Sequence, residues 1–388
     1  MSEAGVLQRM DLGGIEIHGA TTSALSAARE ACRDYFQKLA LEAWIAVADS
    51  SGDSGVIRFH ASEILTRDCG PQFDTLQLCT KLGLSPQDST DDLEREIVLA
   101  MLMAPIPFAF PSVDELLSAV RIRRNIVQGA RRTALAFDTE EAERPADYWT
   151  YAEETGFVVL PGASLVSALE KATQPEVSGQ LYSFSCYRAT EYVMLLGIAQ
   201  ELADCNPVLF EQLQRQWERR AIMSGEFHDV FMREYGSMEE PLPAHYYVPG
   251  DRLWFRNPDE ASSDVKGYEG SWVIYLGNGL FTNFWKRDQP YTLTMKSLEI
   301  YHWRHATWRD AQCRLQMDED VVEERVRLSL QDSAQVQQIL REMLQWRVGR
   351  GGSGGGCIDT TRECARWVRP GTADLYLPNG GAHQGISE

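Results

Sequence analysis

Cys186 is the residue in this chain whose type and position point most directly to chemistry. It ends the segment GQLYSFSC (179–186) and precedes a mostly apolar stretch with helical spacing at 187–202. The free N–H groups in the first turn of a helix, together with the helix dipole, favour a thiolate over a thiol. Cysteine is also among the residue types most often buried for packing alone. The position therefore predicts either a nucleophile or a structural thiol.

The elements that must position this cysteine are predicted from hydrophobic spacing and turn signals. Helical periodicity predicts helices at 113–128, 187–203 and 207–220. Asn206 is expected to cap the last of these. The apolar run at 271–276 is typical of a buried strand, and Asn278-Gly279 predicts a tight turn into a return strand at 280–285. A cysteine-bearing helix packed on an antiparallel sheet is an α+β arrangement.

The segments on either side of this region are expected to be extensions. The spacing of apolar residues predicts a mainly helical extension at 1–105 and a charged amphipathic helix or helix pair at 316–349. The sequence GGSGGG at 351–356 is typical of a flexible linker, so the polar tail after it is expected to be mobile or to dock a partner. These patterns divide the chain into four parts, 1–105, 106–315, 316–349 and 350–388.

The net charge and the cysteine spacing argue against several classes of function. A charge of −19 over 388 residues disfavours nucleic acid or an anionic membrane surface as partner, because both are polyanions. No apolar run approaches the ~18 residues of a membrane span, and the N-terminus lacks the pattern of a signal peptide. The eight cysteines form no CxxC pair and no metal-ligand spacing. We therefore expect a cytoplasmic protein with reduced thiols and neither a metal nor a cofactor, with non-classical export as the alternative.

Three sequence blocks occur in the order that one known family shows. They are IRRNIV at 122–127 with YW at 148–149, GQLYSFSC at 179–186, and VPGDRLWFRNP at 248–258 with GSWVIYLG at 270–277. Together they resemble the bacterial spore-coat type of protein-glutamine γ-glutamyltransferase, a transglutaminase with a papain-like core of the NlpC/P60 type. The resemblance covers roughly residues 108–308 and implies that Cys186 is the nucleophile.

The resemblance implies acyl transfer through a cysteine thioester. The thiolate attacks the side-chain carboxamide of a protein glutamine, and ammonia leaves. A lysine amine then resolves the thioester as an isopeptide cross-link, or water resolves it as a deamidation. In the family a glutamate just before the strand and a histidine after the following turn assist the cysteine, and here these positions are Ser271 and Phe284. Because phenylalanine neither accepts nor donates a proton, the usual base is absent.

Other residues are candidates for the missing base. Glu269 lies two residues before the serine at the glutamate position, so it points to the same face if the strand extends that far. The same alternation favours Thr282 over Asn283 near the lost histidine, unless a bulge reverses it. His228, close to where the family carries an aromatic-histidine pair, is the histidine to test first, with a surface or structural role as its alternative. The same alternative applies to the other candidate histidines, His245, His302 and His305. We predict Cys186, Glu269 and His228 as the catalytic residues.

Two hypotheses from different classes follow. The first is a cysteine acyltransferase that cross-links or deamidates protein glutamine with a rewired base, so that its partner is a protein with accessible glutamine and lysine. The second is a catalytically inactive relative that serves as a binding or assembly module, motivated by the replacements at Ser271 and Phe284. An exported effector that uses this core on a foreign protein is a variant of the first hypothesis that the sequence does not separate from it.

Overall fold

The computed structural model describes residues 13–48, 55–69, 73–137, 142–347 and 355–377. The helices are α1 (Thr22–Lys38), α2 (Glu63–Cys69), α3 (Leu78–Leu82), α4 (Thr90–Leu102), α5 (Val113–Arg132), α6 (Leu165–Thr173), α7 (Pro175–Ser178), α8 (Cys186–Cys205), α9 (Pro207–Arg219), α10 (Ser224–Phe231), α11 (Glu260–Ser263), α12 (Leu293–Trp303), α13 (Glu319–Ser329) and α14 (Ser333–Met343). The strands are β1 (Gly14–His18), β2 (Ile45–Ala48), β3 (Val56–Ala61), β4 (Pro107–Phe110), β5 (Ala136–Phe137), β6 (Trp149–Ala152), β7 (Gly156–Val159), β8 (Ser183–Phe184), β9 (Met232–Tyr235), β10 (Arg252–Arg256), β11 (Gly270–Gly277), β12 (Leu280–Phe281), β13 (Tyr291–Thr292), β14 (Thr307–Arg309), β15 (Leu315–Met317) and β16 (Arg362–Ala365). The predicted α+β class is confirmed.

The N-terminal part of the chain contains a sheet, whereas the sequence indicated a mainly helical extension. Its strand order is β2-β3-β1-β4, with β1 antiparallel to β3 and parallel to β4. Apolar side chains alternate along these strands, so Ile15 and Ile17 of β1 and Ile57 and Phe59 of β3 are buried in the core. The helical prediction missed the sheet because short alternating runs separated by helices become a sheet only through tertiary pairing.

The two long helices α5 and α8 pack against each other in the larger hydrophobic core. They approach closely at Gly197, where a Cβ would lie 2.5 Å from the Ile126 Cγ1 atom, so the position requires glycine. The predicted helix α8 is confirmed, and Cys186 is its first residue. Ser185 caps it, since its Oγ accepts the N–H of Arg188 at 3.3 Å. The predicted cap of α9 is also confirmed, with Asn206 Oδ1 accepting the Leu209 N–H at 3.3 Å.

A six-stranded antiparallel sheet contains the strand that packs on α8. Its order is β13-β12-β11-β10-β16-β9, and β11 is the strand in contact with α8. The buried strand predicted at 271–276 is confirmed as β11. Asn278 and Gly279 form the predicted turn, with φ of 52° and 72°. The return strand β12 is shorter than predicted, and its pairing with β11 carries a bulge between Tyr275 and Gly277.

Residues 355–377 lie against the rest of the protein, whereas their composition suggested a flexible tail. Within this segment β16 lies between β10 and β9 and pairs antiparallel with both. Arg362, at the start of β16, is 1% exposed and donates to the carbonyl of Asp359 at 2.8 Å. Composition did not reveal this strand because its partners are distant in sequence. Residues 351–354 of the predicted linker and 378–388 of the predicted tail lie outside the described residues.

The helix pair predicted within 316–349 is present as α13 and α14. Both helices pack on α12. Their buried residues Val322, Ile339 and Met343 share a second hydrophobic core with Leu298 and Trp303. The C-terminal helices therefore complete a core that continues to the sheet, and they cover one side of α12.

Two further observations concern the described part of the chain as a whole. Its helices are all too short or too polar to cross a lipid bilayer. Its histidine, cysteine and acidic side chains form no group that could hold a metal ion.

Candidate active site

Cys186 lies where β8 ends and α8 begins, next to β11. The backbone N–H groups of Trp272, in β11, and Tyr187, in the first turn of α8, act on the Cys186 sulfur and favour its charged form. The residue is half-buried. The thiol is thus held between the central helix and the sheet, and it keeps access to a cavity.

Burial raises the pKa of the Cys186 thiol above its ordinary value of 9.0. The N–H groups of Trp272 and Tyr187 and the positive charge of Lys296 oppose this change, whereas the negative charge of Glu269 adds to it. Desolvation is the largest influence. The free protein therefore holds Cys186 as a thiol at neutral pH, although the start of a helix favours a thiolate.

The cavity at Cys186 has a volume of about 330 Å³ and lies between the sheet, α12 and α13. Aromatic side chains form much of its wall, namely Tyr268, Trp285, Tyr291 and Trp303. Val322 and Val326 of α13 close another side. This volume is in the range of ligand-binding pockets. The C-terminal helices therefore belong to the site and are not an independent extension.

An ion pair between a buried lysine and a partly exposed glutamate lines the same cavity. Lys296, on α12, has a side chain that is 2% exposed, and its Nζ donates to Glu299 Oε2 at 3.0 Å. The ammonium lies 3.6 Å from the centroid of the Tyr291 ring. Burial raises the pKa of Tyr291, and the charge of Glu299 and a hydrogen bond to it raise that pKa further. Lys296, Glu299 and Tyr291 thus form one connected polar group in a largely aromatic wall.

Comparison with known proteins identifies the family. Residues 75–350, well over half of the chain, match the sequence model of the family described as protein-glutamine gamma-glutamyltransferase. The chain belongs to this family. The match extends beyond the region 108–308 that the sequence blocks indicated, and it includes α3 and α4 on one side and α13 and α14 on the other.

Two relatives in this transglutaminase family have a similar sequence. A protein-glutamine gamma-glutamyltransferase of Halalkalibacterium halodurans is 25% identical over 201 residues, which is 50% of this chain and 65% of the relative. One of Bacillus licheniformis is 24% identical over 206 residues, which is 51% of this chain and 77% of the relative. The chain thus spans less than two thirds of the first relative's length. A solved transglutaminase from Geobacillus stearothermophilus, without its C-terminal extension, has 22% identity and a TM-score of 0.38 over 55% of this chain and 98% of that one.

The two positions at which the sequence blocks predict the family's glutamate and histidine differ in their relation to the cavity. Ser271 lines it, whereas Phe284 is 2% exposed and packs in the larger core. Asn283 lines the cavity, and Thr282 does not: its Oγ1 accepts the Ile274 N–H at 3.0 Å. The expectation that Thr282 would face the site is therefore wrong. The return strand β12 ends at Phe281, so the alternation of a strand does not extend to residues 282 and 283.

The structure brings Glu269 toward Cys186 and places His228 elsewhere. Glu269 is exposed just before β11, and its charge acts on the thiol. His228, on α10, is hydrogen-bonded through Nδ1 to Glu363 Oε1 at 3.0 Å. Glu363 also accepts a bond from Arg252 at 2.5 Å. Among the described residues that line the cavity there is no histidine.

Lys296 and Glu299 were not identified from the sequence. They are three residues apart on α12, LTMKSLEIYHW, so they lie on one face of a mostly apolar helix. An opposite-charge pair at this spacing in an apolar helix is a signal of a buried ion pair, since lysine is rarely buried unless it is paired. This sequence pattern does not indicate which part of the protein α12 packs against. Only the tertiary structure brings α12 to Cys186.

Proposed function

We propose that this protein is a cysteine acyltransferase that acts on glutamine side chains of proteins, with Cys186 as the nucleophile. Membership of the transglutaminase family supports the class of reaction. The observation that carries the assignment to Cys186 is its position as the first residue of α8 at the wall of a cavity of about 330 Å³, where two backbone N–H groups favour the charged form of its sulfur. A papain-like arrangement of the NlpC/P60 type, with the cysteine at the start of a helix on an antiparallel sheet, is part of the proposal.

The proposed reaction has two stages. In the first, the thiol loses its proton and the sulfur attacks the carboxamide carbon of glutamine; the C–N bond then breaks and the nitrogen leaves, with a proton, as ammonia. In the second, a lysine amine attacks the thioester and expels the sulfur, so an isopeptide bond remains. Water in place of the amine yields glutamate. The N–H groups of Trp272 and Tyr187 stabilise the negative sulfur before the first attack and after the second.

The walls of the cavity suit a glutamine side chain. Its aliphatic stem would pack against the aromatic rings of Trp285 and Trp303, which border the cavity. The carboxamide would meet the polar groups of Ser271 and Asn283. Glu269 is exposed and its negative charge acts on the thiol, so we assign it a place outside the cavity wall at the edge of the site.

The test is an assay of ammonia release and of primary-amine incorporation into a glutamine-bearing protein such as casein. We expect activity in the unmodified chain and none in Cys186→Ala. Cys313→Ala is the matched control, because Cys313 is exposed and does not line the cavity. Equal signals from the unmodified chain and Cys186→Ala would overturn the assignment.

A second candidate function is a binding or assembly module without catalysis. The observation that favours it is the buried Phe284 at the histidine position, together with the raised pKa of the Cys186 thiol, which burial causes. Trapping of a covalent adduct between Cys186 and a glutamine peptide, detected by mass spectrometry after rapid acid quench, separates the two candidates. An adduct at Cys186 excludes the module without catalysis.

A further inference from the structure

We propose that Lys296 supplies the positive charge and the transferable proton at Cys186, in the role that the family gives to a histidine. The inference deepens the proposed function and rests on it. Lys296 and Cys186 border the same cavity, and the lysine reaches it from α12. The positive charge of Lys296 acts on the sulfur, as an opposite charge must for a thiolate to form in a desolvated site.

The other cations of the cavity have different positions. Lys286 pairs with Glu323, and the two side chains are 48% and 59% exposed. Arg327 is 59% exposed and pairs with Glu324. Solvent screens charges of this kind. Lys296 is the buried cation among the described lining residues, so its charge acts on the sulfur with the least screening.

Glu299 and Tyr291 stabilise the buried ammonium of Lys296. A buried ammonium needs a counter-charge, and Glu299 provides one at 3.0 Å. The face of the Tyr291 ring, 3.6 Å away, adds a cation–π contact. An ammonium carries three N–H donors, and Glu299 accepts one of them. The pair therefore holds the lysine in the wall and leaves it able to donate to a group in the cavity.

Lys296 supplies the proton that the leaving nitrogen needs in the first stage. The Cys186 thiol releases its proton to solvent, and the resulting thiolate lies opposite the Lys296 ammonium. When the C–N bond of the glutamine carboxamide breaks, the ammonium gives a proton to the nitrogen, which leaves as ammonia, and Lys296 becomes a neutral amine. In the second stage this amine takes a proton from the incoming lysine ammonium, and the neutral nucleophile attacks the thioester. The proton lost as the new amide forms returns to the sulfur or to solvent.

The experiment uses the full chain with Lys296→Met, Lys296→Arg, Lys296→Ala and the double variant Lys296→Met/Glu299→Gln, which leaves no unpaired carboxylate at position 299. The matched control is Lys171→Met. Lys171 has the same kinds of partner away from the cavity, with Asp147 Oδ2 at 2.9 Å and the Tyr148 ring at 4.8 Å, and its side chain is 29% exposed. Two readouts are measured: the rate of iodoacetamide alkylation at Cys186 against pH, and the rate of ammonia release.

We expect Lys296→Met and the double variant to slow Cys186 alkylation at pH 8 by about tenfold or more, because loss of the charge raises the thiol pKa. Lys296→Arg is expected to retain the alkylation rate and to lose ammonia release by about 100-fold, since a guanidinium does not give up its proton. Propylamine is expected to restore part of the release in Lys296→Ala. An unchanged alkylation rate in the double variant overturns the inference. If the unmodified chain releases no ammonia, the proposed function fails, while the alkylation rates still test the relation between Lys296 and Cys186.

Discussion

The backbone N–H of Trp272, in β11, acts on the sulfur of Cys186, the first residue of α8, and opposes the rise in the thiol pKa that burial causes. The register of the sheet determines which N–H meets the sulfur, because Trp272 lies opposite Trp254 and Ser271 opposite Phe255. A slip of one residue would move the side chain of Ser271 to the other face and away from the cavity. The candidate site therefore depends on strand pairing as much as on the start of the helix.

Cys186 is expected to be alkylated slowly at neutral pH. Burial raises the pKa of its thiol, so only a small fraction is thiolate at pH 7. Iodoacetamide labelling of each cysteine, followed by peptide mass spectrometry from pH 6.5 to 9.5, measures this. The rate at Cys186 should still be rising at pH 9, while the exposed Cys313 is labelled first at pH 7. A Cys186 rate that reaches its plateau below pH 8 would contradict the expectation.

Glu96 is expected to make the stability of the protein fall as the pH rises. Burial raises the pKa of this carboxyl from 4.5 to about 7, although the Asn278 N–H, at 2.7 Å, and the Tyr275 hydroxyl donate to it. Between these two pKa values the folded state binds a proton that the unfolded state releases. The contribution of Glu96 to the free energy of unfolding therefore decreases by about 3 kcal/mol between these two pKa values. Above the higher pKa it no longer changes with pH.

Urea unfolding of the unmodified chain and of Glu96→Gln, at pH 5 and pH 8, measures this contribution. From pH 5 to pH 8 the unmodified chain should lose unfolding free energy relative to Glu96→Gln, because the carboxyl group of Glu96 titrates in this range and the carboxamide that replaces it does not. Other carboxyl groups titrate in both proteins, so their effects cancel in this comparison. A difference that is the same at both pH values would refute the assignment.

His228 is expected to stabilise the fold through Glu363. The hydrogen bond to Glu363 raises the pKa of His228 above 6.5, and despite burial the partners of Glu363 lower its pKa below 4.5. The sign follows from proton binding: the contribution of His228 is complete below pH 6.5 and is lost as the pH rises through the folded-state pKa. His228→Gln should therefore flatten the thermal stability profile between pH 6 and 8.

The same variant tests the sequence-based prediction that His228 is the base. The imidazole ring is hydrogen-bonded to Glu363 and does not line the cavity. We therefore expect the rate of Cys186 alkylation in His228→Gln to equal the rate in the unmodified chain. A slower rate at Cys186, with the fold intact by circular dichroism, would instead support His228 as the partner of the thiol.

Gly197→Ala is expected to destabilise the protein by about 1–3 kcal/mol, despite the higher helix propensity of alanine. A Cβ at this position would lie 2.5 Å from Ile126 Cγ1 and 2.9 Å from the Ile126 backbone nitrogen, so α5 and α8 would have to separate. Gly225→Ala is the matched control, since no atom lies within 4 Å of a Cβ there. Chemical unfolding of both variants measures the effect, and equal stabilities would show that the two helices adjust without cost.

The sequence by itself determined the local elements around Cys186. Asn206 is a helix cap that its residue type and position predict, and Asn278-Gly279 makes a turn because both residues adopt positive φ. The apolar run of β11 identified a buried strand, since a strand covered on both faces has no polar side. These features follow from interactions between residues that are close in sequence.

Only the tertiary structure decided what surrounds the thiol. Asn283 borders the cavity in place of Thr282, because β12 ends at Phe281 and periodicity does not reveal where a strand ends. The pairing of β16 with β10 and β9, and the packing of α13 over the cavity, join segments that are far apart in the chain. Lys296 borders the same cavity as Cys186 for the same reason: the packing of distant segments depends on the summed burial of the whole core, which a local pattern does not encode.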